Sequence, residues 1–195
     1  MRVVKKPEER RAEMVTAAAQ LFAQQGFVRT SVAEIVSAVD VAKGLFYYYF
    51  TTKDDMVKAV VEGYCSYLGA YADAIADGEG TALEKYSRFL QPEVWTQCFT
   101  APLLRDLCLP QHAALFSDLC DRVYVHIGPA MKRISRQALS EAQTAGHAQG
   151  VTEADADRVA GVTLYGVLMM ARGGEMTLAD TLHMIKRNAK FWQTV

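Results

Sequence analysis

Paired helix-capping residues are the feature that most limits what this 195-residue chain can fold into. In a capping box, a Ser or Thr side chain binds a free backbone N–H at a helix start, and an acidic residue three positions later returns the bond. The alternation of apolar and polar residues that indicates β-strands is absent. The capping spacing occurs before apolar runs of helical periodicity at Ser31–Glu34, Thr52–Asp55, Thr81–Glu84, Thr152–Asp155 and Thr177–Asp180. The sequence therefore predicts an all-α fold.

About nine helices are expected from the caps, the glycine and proline breaks and the apolar periodicity. The first ends at Gly26, which suits a left-handed position, and Phe27 is expected to pack back on it. Gly128-Pro129 marks a kink or a boundary in a long later segment. The predicted helices lie at about 8–24, 32–39, 42–49, 52–76, 81–99, 102–108, 111–148, 153–172 and 178–193.

Composition limits the class of protein more than its function. Hydrophobic residues make up 51% of the chain, which is enough for a sizeable core, but no apolar run reaches the roughly 18 residues of a membrane span. The N-terminal residues are charged and four scattered cysteines form no CxxC pair, so we expect a cytoplasmic protein with reduced thiols and no metal site. Residues 1–60 hold 9 Lys/Arg against 7 Asp/Glu, a weak basic excess.

The segment 30–53 reads as two short helices joined by about three residues. Ile35 and Ala38 on the first can pack against Val41 and Phe46 on the second. This is the arrangement of a helix-turn-helix, whose second helix enters the major groove of DNA. The sequence thus predicts an N-terminal DNA-binding domain.

Several side chains of this segment suit a nucleic-acid backbone. Lys43 attracts phosphate, Gly44 permits close approach of the helix, and the hydroxyls of Tyr47 and Tyr48 can bond phosphate oxygens. The helix starts at Thr30/Ser31 and Thr52/Lys53 offer free N–H groups to anions. Each residue also has an ordinary interpretation, as core or interface tyrosine, solvated lysine or helix cap, so the combination and its spacing carry the argument.

Residues 10–58 closely resemble the DNA-binding domain of the TetR/AcrR family of transcriptional regulators. The resemblance implies a DNA-binding domain at 1–53 and a helical ligand-binding and dimerisation domain at 54–195. It also implies that the protein is a repressor that binds operator DNA and is released by a ligand. The matching motifs are Gly26-Phe27, Thr30-Ser31, Ile35 and Ala38, Val41-Ala42-Lys43-Gly44, Phe46-Tyr47-Tyr48-Tyr49-Phe50 and Lys53. The residues implied to contact DNA are Thr30, Ser31, Ala42, Lys43, Gly44, Leu45, Tyr47, Tyr48 and Lys53.

Two departures from the family pattern affect these expectations. Asp40 stands where the family usually has a turn glycine, and Asp tolerates the left-handed region, so the turn is expected to survive. Leu45 stands where a small or polar residue is common. Leucine cannot hydrogen-bond a base, but it can contact a thymine methyl group, which predicts a partly apolar base readout.

The C-terminal half indicates architecture and says little about the ligand. An apolar seam at Leu178, Leu182, Ile185, Ala189 and Trp192, with Gly161 on the preceding helix, predicts a homodimer interface, with intramolecular core as the alternative. A palindromic operator needs a two-fold protein, which also favours a dimer. Aromatic and histidine residues suggest an apolar or aromatic effector: Phe89, Trp95, Phe99, His112, Phe116 and Tyr124.

Other classes of protein have less support in the sequence. No phosphate-binding loop, nucleophile elbow or metal-ligand motif indicates an enzyme or a cofactor site. Cys108, His112, Cys120 and His126 could form a metal or redox sensor, although their spacing matches no recognised site. A helical protein-interaction module with weakened DNA binding remains the second alternative, because of Leu45 and the small basic excess.

Overall fold

The computed structural model describes residues 6–173 and residue 180, and every regular element in that part of the chain is a helix. This confirms the all-α prediction. The predicted helix at 178–193, apart from Asp180, and the capping box that begins at Thr177 lie outside the described residues. The α-helices are α1 (Pro7–Gln25), α2 (Val32–Ala38), α3 (Lys43–Tyr49), α4 (Lys53–Asp77), α5 (Ala82–Phe89), α6 (Pro92–Cys98), α7 (Ala101–Cys108), α8 (Ala113–Thr144) and α9 (Glu153–Gly173), with a 3₁₀ turn at Pro110–His112.

The other four predicted capping boxes are present. The Ser31 hydroxyl accepts from the Glu34 N–H, and the Glu34 carboxylate accepts from the Ser31 N–H at 2.7 Å. Thr81 and Glu84 make the same exchange at the start of α5. The boxes that begin at Thr52 and Thr152 use Asp in place of Glu, and both exchange their bonds as well. Local sequence therefore sets where α2, α4, α5 and α9 begin.

Proline explains one difference from the predicted helix bounds. A single helix at 81–99 was expected, but α5 ends at Phe89 and α6 begins at Pro92. Pro92 has no N–H and disfavours the helical conformation in the residue before it, so a new helix starts there. In contrast, α8 continues through Pro129 without a boundary.

The helices form two compact units that divide the chain differently from the predicted boundary after residue 53. The first unit comprises the described residues from Lys6 to Tyr64 together with Phe99–Leu119. The second comprises Cys65–Cys98 together with the described residues from Cys120 to Gly173. The first unit thus contains α7, which lies far along the chain from the helix-turn-helix segment.

The first unit is built around the inner faces of α1, α3, α4 and α7. Its largest buried side chains include Met14, Phe22, Phe46, Met56 and Leu103, all with no exposed surface. Phe27 packs back on Phe22, with ring centroids 6.2 Å apart, as the Gly26-Phe27 motif predicted. Burial of a side chain of this size stabilises the folded state by roughly 1.5–3 kcal/mol relative to leaving it exposed.

The second unit combines an apolar core with polar ties between helices. Lys85 is 6% exposed, and its ammonium donates to the Ala76 carbonyl and to the Gln137 amide oxygen, each at 2.8 Å. Arg136 on α8 forms two 2.7 Å bonds to the carboxylate of Asp157 on α9. The first of these ties keeps a buried charge satisfied, which a core lysine requires.

Two further observations concern the described residues only. No helix among them combines the length and the apolar character that a bilayer crossing requires. No group of three His, Cys, Asp or Glu side chains in residues 6–173 is placed to hold a metal ion.

Candidate nucleic-acid interface

The turn between α2 and α3 is a complete Schellman motif. The Val41 N–H donates to the Val36 carbonyl at 3.0 Å, and the Asp40 N–H donates to the Ser37 carbonyl at 3.2 Å. Asp40 has φ 50°, the left-handed conformation that such a helix end requires. The prediction that Asp40 can replace the usual glycine is confirmed.

Buried aromatic packing fixes the inner face of α3. Phe46 is fully buried, with ring centroids 5.4 Å from Tyr47 and 5.6 Å from Phe50. Ile35 on α2 is also fully buried, as expected, but Ala38 is exposed and Val36 is the second buried residue of α2. Since a seven-residue helix is too short to be stable alone, this packing holds α3 in place.

The outer face of α3 carries the side chains that the sequence predicted for DNA contact. Tyr47 is 53% exposed and Tyr48 is 75% exposed. Lys43 lies one turn before Tyr47, with its ammonium 6.0 Å from the centre of that ring. Ala42, Lys43 and Gly44 are exposed and Leu45 is half-buried. Large exposed aromatic groups beside a lysine form a surface suited to a polyanion.

Gly44 has no structural need to be glycine. A Cβ at this position would meet no atom within 4 Å, and the residue lies in a regular helix. Glycine in a helix costs roughly 0.5–1 kcal/mol relative to alanine. A ligand that approaches the helix backbone closely is the physical reason that would favour glycine here.

Ser31 is exposed at the N-terminus of α2 and serves as its cap. Its backbone N–H and then its hydroxyl hold the pKa of Glu34 below the ordinary value, with a further contribution from the amide of Gln25. The hydroxyl accepts its bond from Glu34, so its own proton can still be donated to an acceptor such as phosphate.

Thr30 differs from its expected role. It is 1% exposed, its hydroxyl donates to the Gly26 carbonyl at 2.8 Å, and it receives a bond from the Gln25 amide. Its side chain closes the segment that joins α1 and α2, residues 26–30, which we term the α1–α2 turn. In this structure the Thr30 side chain is therefore not presented to a phosphate.

Lys53 also faces the α1–α2 turn. Its ammonium donates to the carbonyl oxygens of Phe27 at 2.8 Å, Thr30 at 3.1 Å and Val28 at 3.4 Å. Three acceptors match the three protons of the ammonium group. The expected phosphate contact from Lys53 therefore competes with bonds that the turn already provides.

One residue of this unit was missed in the sequence. Asp106 on α7 is 3% exposed, and its Oδ2 accepts from the Val28 N–H of the α1–α2 turn at 2.9 Å. A second link joins the same segments, because the Thr100 hydroxyl donates to the Ala23 carbonyl at 3.2 Å. The only sequence signal was an acid among the apolar residues of α7, and nothing local indicates its partner.

The six residues proposed to bind a ligand divide between the two compact units. In the second unit, Phe89 and Trp95 stack edge to face at 5.2 Å and the Trp95 indole N–H donates to the Phe89 carbonyl at 2.9 Å, while Tyr124 is 50% exposed. In the first unit, Phe99 contacts Tyr64, His112 contacts Phe27, and Phe116 is buried. The assignment of a ligand to these residues stays a prediction.

Most of the predicted dimer seam, namely Leu178, Leu182, Ile185, Ala189 and Trp192, lies outside the described residues. Gly161 is described, and a Cβ there would lie 3.7 Å from the Tyr124 ring of the same chain. Beside it, α9 exposes Val159, Val162 and Tyr165 at 61%, 73% and 59%. Spacing of three residues places these side chains on one face of the helix.

Comparison with known proteins supports a shared N-terminal region and a shared fold. Residues 15–60 match the family model described as bacterial regulatory proteins, tetR family. The HTH-type transcriptional repressor KstR2 of Mycobacterium tuberculosis is 31% identical over 84 residues, which are 43% of this chain and 42% of the relative. The chain thus spans less than half the length of the first curated relatives that it matches.

Solved structures extend the likeness to nearly the whole chain. A TetR-family transcriptional regulator from Syntrophomonas wolfei aligns over 97% of both chains, with a TM-score of 0.65 and 18% identity. RolR in complex with resorcinol aligns over 93% of this chain and 87% of its own, with a TM-score of 0.60 and 22% identity. Identities this low establish the fold alone.

Proposed function

Because this chain belongs to the TetR family of bacterial regulatory proteins, we propose that it is a transcriptional repressor that binds operator DNA as a homodimer. A small, largely apolar or aromatic effector releases it from the operator. The observation that carries the proposal is the outer face of α3, where Lys43, Tyr47 and Tyr48 are exposed over a buried Phe46.

Exposure of these groups leaves them available to an external partner, and the match of this segment to a DNA-binding family model favours DNA as that partner. A surface meant only for packing against the same chain would bury two adjacent tyrosines, but these are at least half exposed. The relatives are named as transcriptional regulators, which favours regulation over catalysis. The alternative of an interaction module with weakened DNA binding is therefore not favoured.

Leu45 supports a specific form of readout. It is half-buried on α3, beside the exposed Gly44. A side chain there that cannot hydrogen-bond a base can still pack on a thymine methyl group. We expect Leu45→Ala to relax preference at one T-containing operator position, and unchanged preference at every position would contradict this readout.

The effector proposal rests on composition and on one neighbour of the same fold. Phe89 and Trp95 place an aromatic pair within the second unit, although both are packed in this structure. RolR, which shares the fold, has been solved with resorcinol, an aromatic molecule. An effector would act by favouring a state in which the two recognition helices of the dimer are wrongly spaced for DNA.

A binding assay on the DNA upstream of the protein's own gene tests the proposal. We expect binding that is stronger than to unrelated DNA and that weakens as salt rises, because phosphate neutralisation releases counterions. Tyr48→Ala should weaken binding by about tenfold or more. Tyr67→Ala, which removes another exposed tyrosine from a helix of the second unit, is the matched control.

Two results would contradict this assignment. Equal affinity for the upstream fragment and unrelated DNA would remove the specific operator, and equal loss in Tyr48→Ala and Tyr67→Ala would remove the role of α3. The effector is tested in the same assay with a panel of phenols and other small aromatic and aliphatic molecules. Affinity that no member of the panel changes counts against effector release but leaves the DNA assignment in place.

A further inference from the structure

A buried carboxylate outside the matched segment holds the turn that precedes α2. Asp106 on α7 lies 78 positions from Val28 and accepts its backbone N–H at 2.9 Å. The other carboxylate oxygen, Oδ1, faces the Arg105 guanidinium at 3.4 Å. Residues 15–60 carry the family match, so Asp106 stands apart from every residue that defines the DNA-binding segment.

The α1–α2 turn is held on its N–H side and on its carbonyl side by different helices. Asp106 takes the Val28 N–H, while Lys53 at the start of α4 donates to the carbonyls of Phe27 and Thr30. α7 also approaches the turn backbone directly, because a Cβ at Gly26 would clash with the Asp106 carboxylate and lie 3.1 Å from the Pro102 carbonyl. Gly26, with φ 83°, is therefore required by both conformation and space.

The conformation of this turn sets where α2 begins. Thr30 closes the turn onto the Gly26 carbonyl, and the next residue, Ser31, caps α2. α2 in turn contacts α3, and Ile35 and Val36 on α2 and Phe46 on α3 are buried. A displaced turn would therefore move the helices that carry the DNA-contacting surface.

Chemistry favours positioning over stability as the reason for an acid at this place. Burying a carboxylate is expensive unless its oxygens are hydrogen-bonded. What the carboxylate provides, and an apolar side chain does not, is a directed acceptor for one backbone N–H. Such groups are expected where one exact arrangement matters more than net stability.

We propose that Asp106 is a positioning residue for DNA binding, which fixes the α1–α2 turn through the Val28 N–H and makes α7 part of the DNA-binding unit. This inference rests on the proposed function. It assigns a role in operator affinity to a residue that touches no DNA.

Full-length variants test the proposal on the upstream DNA fragment, with amide hydrogen exchange of the DNA-free protein as a second readout. Asp106→Ala should lower affinity by about tenfold or more and speed exchange at Val28. Asp106→Asn keeps an oxygen acceptor and should stay within about threefold of the wild type. Thr100→Val, which removes the link to Ala23 but spares the turn, should also stay within about threefold.

Three outcomes would overturn it: wild-type affinity in Asp106→Ala, an equal loss in Asp106→Asn, or an equal loss in Thr100→Val. If Asp106→Ala does not fold, wild-type exchange decides, because an unprotected Val28 amide is incompatible with the bond to Asp106. A wild-type chain that binds no DNA would contradict the proposed function, and faster exchange at Val28 in Asp106→Ala than in the wild type would still show that Asp106 fixes the turn.

Discussion

The Lys53 ammonium lies 2.8 Å from the carbonyl oxygen of Phe27, so the residue expected to hold a phosphate already binds the backbone of its own chain. Charged hydrogen bonds of this kind contribute about 1.5–3 kcal/mol each. Lys53→Met should therefore lower the free energy of unfolding by about 1–3 kcal/mol in the absence of DNA, measured by urea denaturation.

DNA binding of the same variant separates the two roles of Lys53. A lost phosphate contact reduces the slope of log affinity against log salt by about 1, whereas a displaced turn lowers affinity with less effect on the slope. We expect a fall in affinity with a nearly unchanged slope. Unaltered stability together with a reduced slope would show that Lys53 is a direct phosphate ligand.

Ser31 has a capping role that can be separated from any contact with DNA. Aspartate caps a helix about as well as serine, so Ser31→Asp should keep the stability of the wild type. Its carboxylate would repel a nearby phosphate, so the same variant should bind DNA at least about tenfold more weakly. Ser31→Ala should instead lose about 1 kcal/mol of stability, because it removes the bond to the Glu34 N–H.

The same two variants can also contradict a phosphate contact at Ser31. If Ser31→Asp binds the upstream DNA as well as the wild type does, no phosphate lies near this helix start. Thermal unfolding of both variants provides the stability control. The cap alone would then account for Ser31.

Substitution of Gly44 should change protein stability and DNA affinity in opposite directions. Its Cβ position is open, so Gly44→Ala should stabilise the free protein by about 0.5–1 kcal/mol through helix propensity. A methyl group on the outer face of α3 should at the same time hinder close approach to DNA and lower affinity. Gly63→Ala is the matched control, because Gly63 is exposed on α4 and its Cβ position is equally open.

Binding assays and denaturation of the two alanine variants decide the point. We expect similar stabilisation in both, with weaker DNA binding only in Gly44→Ala. Unchanged affinity in Gly44→Ala would mean that the backbone of α3 does not approach DNA closely at this residue.

Features that depend on neighbours in sequence were the ones that could be predicted. Asp40, Ser31 and the Gly26-Phe27 break all act within five residues, so residue type and spacing are enough to place them. Gly26 nonetheless has ψ 162°, which is extended and not the expected left-handed helix conformation. That value reflects the path of the turn toward α2, which no local rule contains.

Partners that are distant in sequence could not be predicted. Nothing around Asp106 indicates that its carboxylate meets Val28, since the pairing exists only after α7 packs on α1. Lys53 was identified by its motif, but its bonds to the α1–α2 turn depend on where α4 begins relative to that turn. The exposed residues of α3 were thus easier to predict from sequence than the bonds that Thr30 and Lys53 make.

Cys98 should react slowly with thiol-alkylating reagents at neutral pH. Burial raises the pKa of Cys98 from 9.0 to about 11. At pH 8 only about 1 in 1,000 of these groups is thiolate, so alkylation by iodoacetamide should be about 100-fold slower than for an unperturbed thiol and should rise with pH toward 11. Mass spectrometry of peptides labelled in the folded protein measures this, with the same peptide labelled in the urea-unfolded protein as the comparison. Equal labelling rates at pH 8 would contradict it.

Val162 tests the proposed dimer on residues that the structure describes. It is 73% exposed on the same face of α9 as Val159 and Tyr165, so we expect Val162→Glu to leave the fold of the single chain intact. In a dimer that buries this face, the new carboxylate would be desolvated without a partner and would oppose association. We expect sedimentation to show a monomer at concentrations where the wild type is a dimer, together with weaker binding to a palindromic DNA fragment.

Val151→Glu places the same charge at an exposed valine before α9 and should leave both properties unchanged. A dimer of wild-type strength in Val162→Glu would exclude this face of α9 from the interface.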